Sequence, residues 1–154
     1  MSLKHFEISF KVKAFTNLNQ HVRIVGSIEQ LGHWDPLKGL KLNTNMNDYP
    51  IWSSSAPILL PKGKSKLRKL FIRLGTKFEF KVVYFENDHV TTWENLPNDI
   101  NRRYQVKFYK VALNCITGDP TVRVNVLEKV LDTDNMTSND FSNHSFFFEI
   151  TDLF

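Results

Sequence analysis

The sequence predicts an all-β chain folded as an antiparallel β-sandwich, and three observations predict it. Apolar and polar residues alternate with a period of two over residues 6–14 and 78–84. Short segments with strand character recur along the whole chain, divided by clusters of Gly, Pro, Asn and Asp that favour turns. Helical stretches are few, and 13 phenylalanines within a 42% hydrophobic composition supply the apolar mass that a core between two sheets requires.

In the first strand Phe6, Ile8, Phe10, Val12 and Ala14 alternate with Glu7, Ser9, Lys11 and Lys13, so one side is buried and the other wet. A second strand is expected over residues 22–28. After it Trp34 stands between Gly32 and Asp35-Pro36, a turn-forming context that predicts a loop tip for this indole. The next strand is expected over 51–59. Over residues 78–84, Phe78, Phe80, Val82 and Tyr84 share one face and Glu79, Lys81 and Val83 the other, which turns Lys81 away from the phenylalanines. Further strands are expected over 90–93, 104–114, 121–126 and 145–150, and no internal repeat is visible. Residues 62–75, KGKSKLRKLFIRLG, carry Lys62, Lys64, Lys66, Arg68, Lys69 and Arg73, a local positive patch on a chain of formal net charge +4. Leu67, Leu70, Phe71, Ile72 and Leu74 are too apolar for a free basic tail, so part of this segment is expected to pack.

Several function classes are excluded or disfavoured. No apolar run approaches the ~20 residues that a helical membrane span needs, and the N-terminus enters strand-like sequence without a secretory signal. Cys115 is the only cysteine, which rules out an internal disulfide and favours an intracellular setting. A phosphatase loop of the Cys-x5-Arg type fails, because the sixth residue after Cys115 is Thr121. His5, His21, His33, His89 and His144 are scattered without metal-ligand spacing, so no metal and no cofactor are expected. A glycosidase needs a carboxylate pair across a cleft, and no catalytic motif of that kind is visible.

Three unlike segments occur in order: VGSIEQLGHWDP at 25–36, FEFKVVYF at 78–85 and TTWENLPN at 91–98, with YPIW at 49–52 after the first and NRRYQV at 101–106 closing the set. This order and wording resemble the starch-binding domain, carbohydrate-binding module family 20, over roughly residues 6–106. The resemblance implies an immunoglobulin-like sandwich in the form of an open-sided barrel. It implies a non-catalytic module, residues 1–110, with a basic insertion at 62–75 and a C-terminal extension at 111–154 that forms extra strands or begins a linker to a following domain. The parent would be a larger protein such as an amylolytic enzyme, a glucan phosphatase or a glycerophosphodiester phosphodiesterase.

The ligand so implied is α-1,4-glucan: starch, glycogen, amylopectin or a maltooligosaccharide. A monomer is expected, without nucleic acid as partner. Carried over by position, the sugar-binding residues are Trp34, Lys81, Trp93, Glu94 and Asn98, with Asn101 the alternative to Asn98 when the count runs back from Tyr104. Indole suits the apolar face of a glucose ring, and ammonium, carboxylate and amide groups suit its hydroxyl rim. A second contact surface would draw on Trp52 and Tyr49, but Leu18 occupies the position where the family carries a tyrosine. Trp52 has two readings, core packing and a remnant glucan contact. The rival function is a regulatory β domain that binds an anionic partner through residues 62–75.

Overall fold

In a computed structural model, residues 5–62 and 75–128 are described. They form ten strands: β1 (His5–Lys13), β2 (Gln20–Gly26), β3 (Leu40–Lys41), β4 (Ile51–Ser53), β5 (Ile58–Pro61), β6 (Lys77–Glu86), β7 (His89–Trp93), β8 (Arg102–Gln105), β9 (Lys110–Ile116) and β10 (Arg123–Glu128). Two five-stranded sheets result, one ordered β10-β9-β1-β4 with β5 also on β1, the other β3-β2-β6-β7 with β8 also on β6. They make the expected sandwich. All pairs are antiparallel except β1 with β9, which run parallel and are joined by the long stretch of chain that forms β2 to β8 in both sheets.

The predicted alternation is the organising feature. Phe6, Ile8, Phe10 and Val12 of β1 face Phe78, Phe80 and Val82 of β6 across the core, and Phe10 meets Phe80 edge to face with centroids 5.4 Å apart. Two expected strands divide. The run 51–59 splits into β4 and β5, which pair with opposite halves of β1. The run 104–114 splits into β8 in one sheet and β9 in the other, because the chain crosses between sheets at 106–109. Strand β3, two residues long, carries too little pattern to be seen in the sequence. β9 runs across the expected boundary at residue 110 and sits beside β1, and β10 adds a strand on its far edge. Residues 129–154, with the expected strand at 145–150, lie outside the described residues, as does all of the basic insertion except Lys62 and Gly75.

Both central strands, β1 and β6, give one edge to a long partner and divide the other between two short ones. β1 pairs with β9 along one edge and with β5 then β4 along the other. β6 pairs with β2 along one edge and with β8 then β7 along the other. At each gap a side chain completes the ladder. Ser54 donates its N–H to the Phe10 carbonyl while its hydroxyl accepts from Phe10 N–H at 3.0 Å. Glu94 donates its N–H to the Val82 carbonyl while its carboxylate accepts from Val82 N–H at 2.6 Å. Where β2 ends, Ser27 bonds Glu79 in the same two ways.

The loop after β2 depends on a glycine. Gly32 has φ +84° and is followed by His33 and Trp34, also at positive φ, so the chain folds back over the sheet. A Cβ at Gly32 would lie 2.8 Å from the backbone C and O of Lys38. Gly32→Ala is therefore expected to cost about 1–3 kcal/mol through left-handed strain and this contact, read as a lower urea midpoint with unchanged slope.

Candidate functional site

The outer face of the sheet β3-β2-β6-β7 collects three of the residues singled out in the sequence, Trp34, Lys81 and Trp93. Outward positions alternate along the strands, so His21, Arg23 and Val25 of β2 stand beside Lys81, Val83 and Phe85 of β6. Val25 is directly opposite Lys81, and Val83 is opposite Arg23 on one side and Trp93 on the other. Lys41 of β3 extends that row beyond Arg23. Val25, Val83 and Phe85 are fully buried because the half-buried Trp34 packs over them as a small second core.

The sequence places Trp34 here through its turn. After the reversal at Gly32, the Asp35 N–H donates to the Gly32 carbonyl at 2.9 Å, and the Asp35 carboxylate caps the following turn by accepting from Leu37 N–H at 3.0 Å. Arg23 braces the same loop, donating from Nη1 to the Leu37 carbonyl at 3.1 Å while its guanidinium carbon lies 4.2 Å from the Phe85 ring centre. Trp93, the last residue of β7, is 37% exposed. Lys81 is partly exposed beside it, at the gap between β7 and β8. Asn98 is exposed at positive φ in the turn Pro97–Asp99, within the loop that leaves this gap.

Glu94 and Asn101 are otherwise engaged. Glu94 is 4% exposed. Its carboxylate meets Arg102 in a two-pronged ion pair, Nη2 at 2.5 Å and Nε at 3.0 Å, and also receives the N–H groups of Val82 and Gly118. Arg102 spends its remaining donors on the carbonyls of Ile116, Asp119 and Thr121. Burial alone would lower the pKa of this guanidinium, but the Glu94 hydrogen bonds, with Coulombic help from Cys115, Glu94 and Asp119, hold it above its ordinary value. Asn101 donates to Glu79 at 3.2 Å, and Glu79 is shared with Arg103. The expectation that Glu94 offers its carboxylate to a ligand therefore runs against its burial.

Tyr49 and Trp52 lie elsewhere, on the approach to β4 and within it. Trp52 is 7% exposed, belongs to the main core and donates its indole N–H to the Ala14 carbonyl at 3.2 Å. Tyr49 is surface-lying, its hydroxyl bonded to both backbone groups of Thr16 and its ring edge to face with Phe15. Leu18 is fully exposed nearby in sequence. Arg102, Arg23 and the floor residues Val83 and Phe85 were not singled out beforehand. The signal for the floor was present: the unbroken apolar run Val82 to Phe85 departs from a period of two and marks a strand covered on both faces.

Among the described residues no cluster of His, Cys, Asp or Glu could hold a metal ion. No described helix is long and apolar enough to cross a membrane. The arrangement offers two indoles and an ammonium on one face, with the exposed amide of Asn98 in the loop that follows Trp93. That chemistry suits a neutral ligand with a flat apolar side and a hydroxyl rim.

Comparison with known proteins gives the same family as the sequence motifs. The starch binding domain family profile matches residues 5–114. The glucoamylase of Neurospora crassa is 33% identical over 110 residues, 70% of this chain but only 14% of that protein's length. Among solved structures, the family 20 carbohydrate-binding module of the maltotetraose-forming amylase from Pseudomonas saccharophila superposes with a TM-score of 0.51 at 22% identity, over 71% of this chain and 98% of that one. The family 15 glucoamylase from Hypocrea jecorina superposes with a TM-score of 0.57 at 19% identity, over 76% of this chain and 18% of that one.

His21 tests how firmly the outer face is packed. Its ring stacks on Phe85 at 5.3 Å and 20°, and burial, then Lys41, then Arg23 lower its pKa below the ordinary 6.5, against a smaller opposing pull from Asp88. The folded state thus binds the His21 proton less readily than the unfolded state, and stability falls as pH drops below about 6.5. Between pH 7.5 and 5.5 the unfolding midpoint is expected to decline, and His21→Gln should make that decline shallower. Equal slopes for the two proteins would remove His21 from the account.

Proposed function

The chain belongs to the starch-binding domain family, and from that premise we propose that it is a non-catalytic module that holds α-1,4-glucan by stacking sugar rings on Trp34 and Trp93. The supporting observation is that these two indoles and Lys81 lie on one outer sheet face, over a floor of Val25, Val83 and Phe85. Lys81 donates to sugar hydroxyls, and Asn98, exposed in its turn, serves the amide role, since Asn101 is held by Glu79. Uncharged sugar brings little long-range attraction, so shape and stacking carry the affinity.

By analogy with base stacking, each sugar–indole contact contributes about 1–3 kcal/mol. Two such stacks with a few hydrogen bonds give about −4 to −8 kcal/mol, a dissociation constant between roughly millimolar and micromolar. A module of this strength tethers whatever longer chain carries it to a polysaccharide surface while leaving it free to move. The burial of Trp52 and the replacement of a tyrosine by Leu18 favour one glucan site per chain.

Trp93→Ala is expected to lower maltooligosaccharide affinity by about tenfold with little loss of stability, because that ring is exposed. Trp34→Ala should lower affinity similarly and also cost about 1–3 kcal/mol of stability, since the ring covers the buried floor. Trp52→Ala should act oppositely, costing about 3–5 kcal/mol of stability with affinity retained in the folded fraction. Calorimetric titration beside denaturant unfolding separates the three. Unchanged affinity in a folded Trp93→Ala protein would remove the stacking site.

The same calorimetry with β-cyclodextrin is expected to give a stoichiometry near one. A value near two would mean that Tyr49, Phe15 and their surroundings form a second platform.

A further inference from the structure

Strand β7 carries Trp93 but contributes no fully buried side chain to orient it. All five of its residues, His89 to Trp93, are exposed, and its register against β6 shifts between Tyr84 and Phe85. A strand without buried side chains is aligned by its backbone ladder and its ends. The far end is the turn at Asn87 and Asp88, both at positive φ. The near end is Glu94, the first residue past Trp93, and it is bonded twice to Val82, once through its N–H and once through its carboxylate. Val82 lies between Lys81 and Val83, the residue opposite Trp93.

The carboxylate cannot keep that position alone. Burying a carboxylate without a countercharge is costly, and Arg102 supplies the charge and the geometry through its two-pronged contact. Arg102 is held in turn by the carbonyls of Ile116, Asp119 and Thr121, so the pair is wedged between the β7–β8 gap and the turn that joins β9 to β10. We infer that Glu94 and Arg102 are positioning residues for the glucan platform: Glu94 touches no sugar, and the pair fixes the direction of Trp93 and the spacing from Trp93 to Lys81. The inference rests on the glucan reading for its functional consequence, but the placement of Trp93 is measurable without any ligand.

The experiment compares wild type with Glu94→Gln, Glu94→Ala and Arg102→Lys. Three measurements are made at a temperature where circular dichroism shows each variant folded: maltoheptaose affinity, the indole N–H resonance of Trp93 assigned with Trp93→Phe, and acrylamide quenching. Glu94→Ala is expected to shift the Trp93 resonance, change its quenching and weaken binding by about tenfold. Glu94→Gln keeps an acceptor for Val82 N–H and should recover most of both properties, and Arg102→Lys, which keeps charge without the fork, should fall between. Should Glu94→Ala not fold, Glu94→Gln and Arg102→Lys carry the test by the same criteria.

Weaker binding with an unmoved Trp93 resonance would mean that Glu94 contacts sugar directly, and would overturn the inference. Lower stability with unmoved Trp93 and unchanged affinity would reduce the pair to fold support, and would overturn it too. If wild type fails to bind any glucan, the starch reading falls, and the Trp93 resonance alone still decides whether the pair positions that ring.

Discussion

A buried strand must satisfy every backbone N–H and C=O, and in this sandwich that requirement falls hardest on the two central strands, β1 and β6. Each has one edge divided between two short partners, and each division leaves a residue whose ladder bonds would be lost. An unmatched buried N–H costs about 1–3 kcal/mol. The chain meets the cost by having the residue that leaves the ladder bond back through its side chain: Ser54 to Phe10 and Glu94 to Val82 at the divisions, and Ser27 to Glu79 where β2 ends. The two serines do this with a neutral hydroxyl. Glu94 does it with a charge, and that choice draws in Arg102 and, through it, the carbonyls of Ile116, Asp119 and Thr121.

The division of the β6 edge also opens the surface on which the proposed site stands. Had one long strand covered all of β6, Lys81 would be flanked closely on both sides. Instead β7 stops at Trp93 and β8 begins at Arg102, and the intervening loop carries an exposed Asn98. The outer face is unusual for a sheet side turned to solvent, since Val25, Val83 and Phe85 are fully buried, with Trp34 packed over them and His21 and Arg23 against Phe85. Trp34 thus has two tasks, closing a small core and presenting a flat apolar surface, and its half-burial is what both together require. Arg23 and His21 stiffen this layer against Phe85 from the β2 side.

Much of this was legible in the residues. The two-sheet fold followed from the period of two, and the position of Trp34 in a loop followed from Gly32, Asp35 and Pro36. The division of runs 51–59 and 104–114 was not legible, because a continuous apolar run looks the same whether the chain stays in one sheet or crosses to the other. Three tryptophans have equal chemistry in the sequence, yet Trp52 is core, Trp93 is surface and Trp34 lies between.

The order of residues alone assigns each strand residue its face, because backbone pleating alternates side chains regardless of what packs against them. It sent Phe78, Phe80 and Val82 inward and Lys81 outward, and the motif order added the family. The tertiary structure decided which outward or terminal groups remain free. Glu94 became a buried partner only because Arg102, eight positions on, and the turn after β9 converge on it. Trp52 became core because Ala14, 38 positions earlier, brings a carbonyl to its indole N–H. Desolvation and pairing depend on neighbours distant in sequence, and no local pattern records them.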